Sequence, residues 1–172
     1  PGAPAVMKAW ATASARALYV PGVYHGPLLD AAFLMLKAKR MLLIMDGNSG
    51  DDVCLNVPSV RRAIGAVDLL MPNASEALRL TGSDDLTASI RELARLCPNI
   101  VVKDGPRGAY AYQGGDIVHA PAISVHPIDT TGAGDCFNAG FLCAWLPDRP
   151  LEACLRWGNI VGGLSTTSRG RT

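Results

Sequence analysis

The chain has 172 residues and 18.1 kDa, is 49% hydrophobic and 18% charged, and carries 16 Lys+Arg against 15 Asp+Glu for a net charge of +1. That balance is too apolar for a disordered chain and too even for a partner gripped through phosphates, so a globular protein that binds no nucleic acid is expected. No apolar run approaches the roughly 20 residues of a membrane span, and Pro1-Gly2-Ala3-Pro4 has neither the basic nor the apolar stretch of a signal peptide, so a soluble, cytoplasmic protein without membrane partners is expected. The length is that of one domain. Cys54, Cys97, Cys136, Cys143 and Cys154 form no Cys-x-x-Cys pair, and His25, His119 and His126 are scattered, which predicts reduced thiols and no zinc site.

Ala17-Leu18-Tyr19-Val20 stops at Pro21-Gly22 and reads as a strand. Pro27 to Lys39 places Leu28, Ala31, Ala32, Met35 and Leu36 on a helical stripe, with Lys37, Lys39 and Arg40 suiting its C-terminal end. Met41 to Met45 is continuously apolar, as in a strand buried on both faces. Strand, helix and strand in succession predict a parallel crossover unit. The alternation continues with a short helix over Val60 to Gly65, a strand over Val67 to Leu70, and a helix opened by Asn73 with Glu76 three residues on. A helix over Asp84 to Leu96 and a strand over Asn99 to Lys103 follow. Ala109 to Tyr112 and Asp116 to His119 flank Gln113-Gly114-Gly115, a hairpin signal. Two helices, Gly132 to Leu146 and Leu151 to Ser165, finish an α/β chain with a mainly parallel sheet. Trp10, Trp145 and Trp157 read as packing residues.

The sharpest feature is Asp129-Thr130-Thr131-Gly132-Ala133-Gly134-Asp135-Cys136-Phe137, which follows the β-rich stretch and opens a helix. The small residues Gly132, Ala133 and Gly134 let successive backbone N–H groups turn toward one point, where the helix dipole adds partial positive charge. Asp135 beside such an anion hole could take a hydroxyl proton while the amides hold a phosphoryl group. Spacing alone fits equally well an ordinary Gly-rich helix start whose Asp complements the dipole. Neither a Gly-x-x-x-x-Gly-Lys-Ser/Thr loop nor a Gly-x-Gly-x-x-Gly after a strand occurs, which removes support for a Walker-type ATPase and a dinucleotide-binding oxidoreductase.

This stretch, with its continuation Asn138-Ala139-Gly140-Phe141, closely resembles the C-terminal signature of the ribokinase-like (PfkB) carbohydrate kinases. Three other segments agree in the family's order. Pro72-Asn73-Ala74-Ser75-Glu76-Ala77 resembles its Asn-x-x-Glu motif, and Val101 to Gly108 resembles its Val-x-Lys-x-Gly-x-x-Gly nucleotide loop. Gly158-Asn159 with Leu164-Ser165-Thr166-Thr167 is similar to its closing helix.

The resemblance implies a three-layer α/β/α fold and Mg²⁺-assisted phosphoryl transfer from ATP to a sugar hydroxymethyl group. On it, Asp135 is the base, and Gly132, Ala133 and Gly134 with the Asp135 N–H hold the transferring phosphate. Asn73 and Glu76 become the Mg²⁺ and phosphate-side pair, acting through water; read without the resemblance they form a capping box. Lys103, Gly105 and Gly108 border the nucleotide's phosphates and ribose. Asn159 sits near the adenine, although a helical Asn by itself reads as exposed. Asp129 and Thr131 resemble positions that hold a monovalent cation such as K⁺, with Ser165, Ser168 and Gly170 as further carbonyl donors.

The match covers only the C-terminal part of the family's domain. The family's first strands, its paired-glycine sugar segment and its β lid have no counterpart, so residues 1–172 are expected to be the nucleotide-binding, catalytic portion of a ribokinase-like kinase domain. Asp46-Gly47-Asn48 resembles an Asp-x-Asn turn of fructokinase-like and ketodeoxygluconate-kinase-like members, but Ser49-Gly50-Asp51-Asp52 follows where those continue to an Arg. The expected function is that of an ATP-dependent sugar kinase, homodimeric in its full-length form. A nucleoside kinase of the same family and a non-catalytic nucleotide-binding fragment are the alternatives.

Overall fold

The computed structural model describes Lys8, Thr12 and residues 15–169; Pro1 to Pro4, Trp10 and Gly170 lie outside the described residues. Two compact units divide the chain, residues up to Ile100 and residues from Val101 onward.

The first unit runs β1 (Ala17–Val20), α1 (Pro27–Ala38), β2 (Leu42–Asp46), α2 (Pro58–Ala66), β3 (Leu69–Met71), α3 (Ala74–Thr81), α4 (Leu86–Leu93) and the start of β4 (Asn99–Lys103). Its strands pair in parallel, with Ala17 opposite Leu42, Ile44 opposite Leu69 and Leu70 opposite Ile100. Leu43, Ile44, Met45, Leu69, Leu70 and Met71 are sealed from solvent, as continuous apolar strands covered on both faces should be. Phe33, Leu36, Ile64, Leu80 and Ile90 supply the buried helix faces. Helix α1 starts at Pro27, whose fixed φ suits the first turn, and carries Asp30 at its start and Lys37 at its end, each matching the dipole.

Strand β3 begins two residues later than its apolar run suggests. Val67 is spent as the C-cap of α2. Asp68 is held between the Leu43 N–H at 2.8 Å and the Lys37 ammonium at 3.0 Å. Helix α4 is correspondingly shorter than its apolar stripe: Asp85 caps it by accepting from Ala88 N–H, and residues 94 to 96 form turns.

The second unit contains the end of β4, the hairpin β5 (Ala109–Gln113) and β6 (Asp116–Ala120), α5 (Ala133–Trp145) and α6 (Leu151–Ser165). The hairpin is antiparallel in the expected register, and Gly114 and Gly115 take the positive φ values of 65° and 112° that its two-residue turn requires. Helices α5 and α6 approach closely because glycines line the contact. A Cβ on Gly158 would lie 2.7 Å from the Phe137 ring, and one on Gly140 2.8 Å from the Trp157 carbonyl oxygen. Phe137, Phe141 and Trp145 stack along α5 at i, i+4 spacing, with ring centroids 6.3 and 6.5 Å apart. Parallel strands in the first unit and an antiparallel hairpin in the second, each with its helices, make the chain α/β. Among the described residues no helix is long and apolar enough to cross a membrane.

Candidate functional site

Helix α5 opens without a side-chain cap. Gly132 occupies the N-cap at φ 74°, a left-handed conformation that costs a glycine little and other residues more. The Ala133 N–H turns back to the Thr130 carbonyl at 3.1 Å, and Cys136 N–H enters the helix ladder on Gly132 O at 2.9 Å. Among the described residues the N–H groups of Gly134 and Asp135 donate to no backbone acceptor, which leaves two amides on the positive end of a 13-residue helix. Of the anion hole expected at Gly132 to Asp135, it is the Ala133 N–H that is committed to the turn. The Asp135 carboxylate is exposed in that first turn.

Beside it lies a cavity of about 590 Å³, within the range of small-molecule sites. Gly134 and Ala133 wall it from α5, Lys103, Gly105 and Gly108 from the segment after β4, and Asn159 from α6. Gly132 and Asp135 start the same helix but do not line the cavity.

Lys103 and Asn159 are polar residues of its lining. The Lys103 ammonium donates to Asn138 Oδ1 at 3.2 Å and lies 3.9 Å from where a Cβ on Gly134 would be, so a cation stands near the open amides. Asn138, 2% exposed, is absent from the sequence-based site; its signal was a polar residue on the apolar face between Phe137 and Phe141. Asn159 is buried at 7% exposure, which corrects the exposed reading of its helical position. Its Nδ2 donates to the carbonyls of Ala120 and Pro121 at 2.9 and 3.0 Å, fixing the chain as it leaves β6. The irregular Ala122 to Val125 stretch forms another wall, and no periodicity in the sequence marks it.

Asn73 and Glu76 belong to the first unit. Asn73 Oδ1 accepts from Glu76 N–H at 2.9 Å and Glu76 Oε2 accepts from Asn73 N–H at 2.7 Å, so the reciprocal capping box is present. Ser75 Oγ also donates to Asn73 Oδ1 at 2.7 Å, while Glu76 Oε1 has no hydrogen-bond partner among the described residues. One carboxylate oxygen of a half-buried Glu is thereby left for a water or a hydrated cation, a donor set that fits Mg²⁺ held through its waters. Nearby, Asp46 is 7% exposed and accepts from the Tyr19 hydroxyl at 2.7 Å and from Gly47 N–H at 2.8 Å. Where the turn departs from Asp-x-Asn-x-Arg, Arg79 of α3 reaches Ser49, donating to its carbonyl at 3.1 Å and its Oγ at 2.9 Å.

The residues expected at a monovalent cation lie in the second unit. Asp129 Oδ1 accepts from Thr131 N–H at 2.9 Å, and the N–H groups of Ile128 and Asp129 both donate to Thr166 O, which ties the 128–131 loop to the end of α6. Ser165 Oγ is turned back onto Gly162 O at 2.7 Å. Among the described residues no cluster of three His, Cys, Asp or Glu could hold a metal ion.

Comparison with known proteins shows the family. Residues 7–172 match the pfkB family carbohydrate kinase profile. The chain is 36% identical over 152 residues to a fructokinase from Klebsiella pneumoniae, covering 81% of this chain and 50% of that protein. It is 32% identical over 130 residues to a cytidine kinase from Thermococcus kodakarensis, covering 72% of this chain and 45% of that one. A fructokinase from Vibrio cholerae O395, solved with fructose, ADP and calcium ion, superposes with a TM-score of 0.76 at 26% identity over 90% of this chain and 55% of its own. The chain thus spans about half the length of the relatives it matches. With the family profile matched over nearly every residue, the chain belongs to the pfkB family of carbohydrate kinases.

Proposed function

We propose that this chain provides the nucleotide-binding and catalytic portion of an ATP-dependent kinase that phosphorylates a sugar hydroxymethyl group. The observation that carries the reading is the open start of α5. Two unpaired amides and a carboxylate sit on one helix turn, and Gly134 of that turn shares a cavity wall with the Lys103 loop. In this reading Gly134 and Asp135 N–H groups, backed by the helix dipole and the Lys103 ammonium, stabilise charge on the transferring phosphoryl group. The Asp135 carboxylate orients the acceptor hydroxyl and takes its proton as the new O–P bond forms and ADP leaves. Asn159 and the Gly105–Gly108 loop hold the rest of the nucleotide. Glu76 and Asn73 are assigned to Mg²⁺ through water, and Asp129 and Thr131 to a K⁺-like ion. When bound, Mg²⁺ supplies charge neutralisation on the phosphates.

A sugar acceptor is favoured by the fructokinase relative and by the fructose- and ADP-bound fructokinase neighbour. A nucleoside acceptor is the second reading, motivated by the cytidine kinase relative. Comparing ketoses, aldoses and nucleosides in an ADP-release assay on the complete enzyme separates them.

The first test is thermal unfolding of the 172-residue chain with and without Mg-ADP. Ligand at about 100 times its Kd adds roughly 2.7 kcal/mol, which raises the midpoint by about 5–11 °C at this size. A cooperative transition that Mg-ADP leaves in place would remove the nucleotide from the cavity and with it the kinase reading of this chain.

A further inference from the structure

Between β4 and β5 the chain makes a single 3₁₀ turn, Gly105–Arg107, and Gly105 and Pro106 form part of the cavity wall. Three residues of 3₁₀ helix are bonded too weakly to hold a shape unaided. The ends of this turn are tied by the backbone: Asp104 N–H donates to Gly108 O at 2.8 Å and Gly108 N–H to Gly105 O at 3.0 Å. Gly108 sits at φ 97° with its α-carbon pressed on β6, so that a Cβ would fall 2.1 Å from the Ala120 carbonyl oxygen.

The crest is tied by side chains. Arg107 Nε donates to Asp104 Oδ2 at 2.7 Å and Nη2 to Oδ1 at 2.6 Å, so both carboxylate oxygens are taken by one guanidinium fork. The carboxylate is 4% exposed and the guanidinium side chain 74% exposed, so the exposed cation closes over a buried anion that has no other side-chain partner among the described residues. On its far side the Arg107 carbonyl meets His119 Nε2 at 2.8 Å, and that imidazole lies 4.5 Å from the Tyr110 ring centroid. Arg107 itself does not line the cavity. Whatever it does for a ligand it does through the turn.

We propose that Arg107 is a positioning residue: by clamping Asp104 it sets Gly105 and Pro106 in the cavity wall before a ligand arrives, so that binding does not bear the cost of ordering them. The inference rests on the reading of the cavity as a nucleotide site. Calorimetric titration of the 172-residue chain with Mg-ADP tests it, using wild type, Arg107→Ala, Arg107→Lys and Arg156→Ala. Arg156→Ala removes the same charge from an exposed position on α6 and should bind as wild type does. Arg107→Ala should weaken Mg-ADP about tenfold, equivalent to about 1.4 kcal/mol. Arg107→Lys should recover only a minor part of this, because an ammonium does not bridge both carboxylate oxygens. Without nucleotide, amide exchange at Gly105 to Gly108 should quicken in Arg107→Ala. A purely structural role would lower the melting midpoint and leave the affinity of the folded protein unchanged. Wild-type affinity in folded Arg107→Ala, or full recovery in Arg107→Lys, overturns the inference alone. Should Arg107→Ala fail to fold, wild-type affinity in Arg107→Lys overturns it. A wild-type chain that binds no Mg-ADP overturns the nucleotide reading and the inference together.

Discussion

One helix start in each unit makes a contrast, that of α3 in the first and that of α5 in the second. In the first, the polar groups beside the strand ends are closed on one another: Asn73 and Glu76 cap α3 reciprocally, and Asp46 is filled by Tyr19 and Gly47. In the second, α5 starts with no side-chain cap and keeps two amides open, although a Ser, Asn or Asp at position 132 could have closed it. The difference lies in side chains: Asn73 and Glu76 close the start of α3, whereas Gly132 offers the start of α5 no side-chain acceptor.

The largest way to break this comparison is at the open end. Asp135→Asn in the complete enzyme should lower turnover by about 10²–10⁴-fold with little change in nucleotide affinity, read by steady-state ADP release. Near-normal turnover would take Asp135 out of the mechanism. Next is the wall of the same cavity. Gly108→Ala forces a residue at φ 97° onto the Ala120 carbonyl, so the chain should lose about 2–4 kcal/mol in denaturant unfolding. An unchanged midpoint would mean that the turn relaxes freely.

The closed end gives a smaller effect. Asn73→Ala removes one half of the capping box and should cost about 1 kcal/mol in stability. Measured alongside, the Mg²⁺ dependence of nucleotide binding sharpens the contrast: a shift supports a ligand role, and stability loss alone confines the pair to capping. Smallest at neutral pH is the contribution of Cys97, a buried thiol of the first unit pushed up to about 12 by desolvation. Unfolded, it titrates near its ordinary 9.0, so the stability tied to its neutral form is complete below pH 9 and is lost as pH rises toward 12. Wild type should therefore lose stability between about pH 8 and about pH 10.5 more steeply than Cys97→Ala. Parallel slopes in the two proteins would contradict the burial argument.

Much of the frame was legible because it depends on local chemistry. The Asn73–Glu76 cap, strand Asn99–Lys103 and helix Leu151–Ser165 stand where side-chain pattern and spacing predict them. Errors arose where a residue answers to a distant partner. Val67 and Asp68 look like strand, yet one ends α2 and the other bridges Lys37 and Leu43. Asn159 has a helical neighbour pattern that says nothing of Ala120 and Pro121, 39 and 38 residues away. The site showed the same division. Its glycines and Lys103 were legible through the motifs that resemble the family's, whereas Asn138 and the Ala122 to Val125 wall depend on tertiary placement that no periodic signal carries. Gly132, Ala133 and Gly134 were read as a unit, but only the coordinates separate the amide spent on Thr130 from the one left open.

The close approach of α5 and α6 also limits how this chain can be altered by evolution or in a mutant library. Gly140 and Gly158 have no room for even a methyl group without moving backbone or an aromatic ring, so variation at these two positions would disturb the helix pair. The Ala122 to Val125 stretch faces the same cavity from an irregular segment that belongs to neither helix. Diversity placed there can reshape what the cavity accepts while the helices that carry Asp135 and Asn159 stay fixed, which makes those four positions the economical place to search for altered ligand preference.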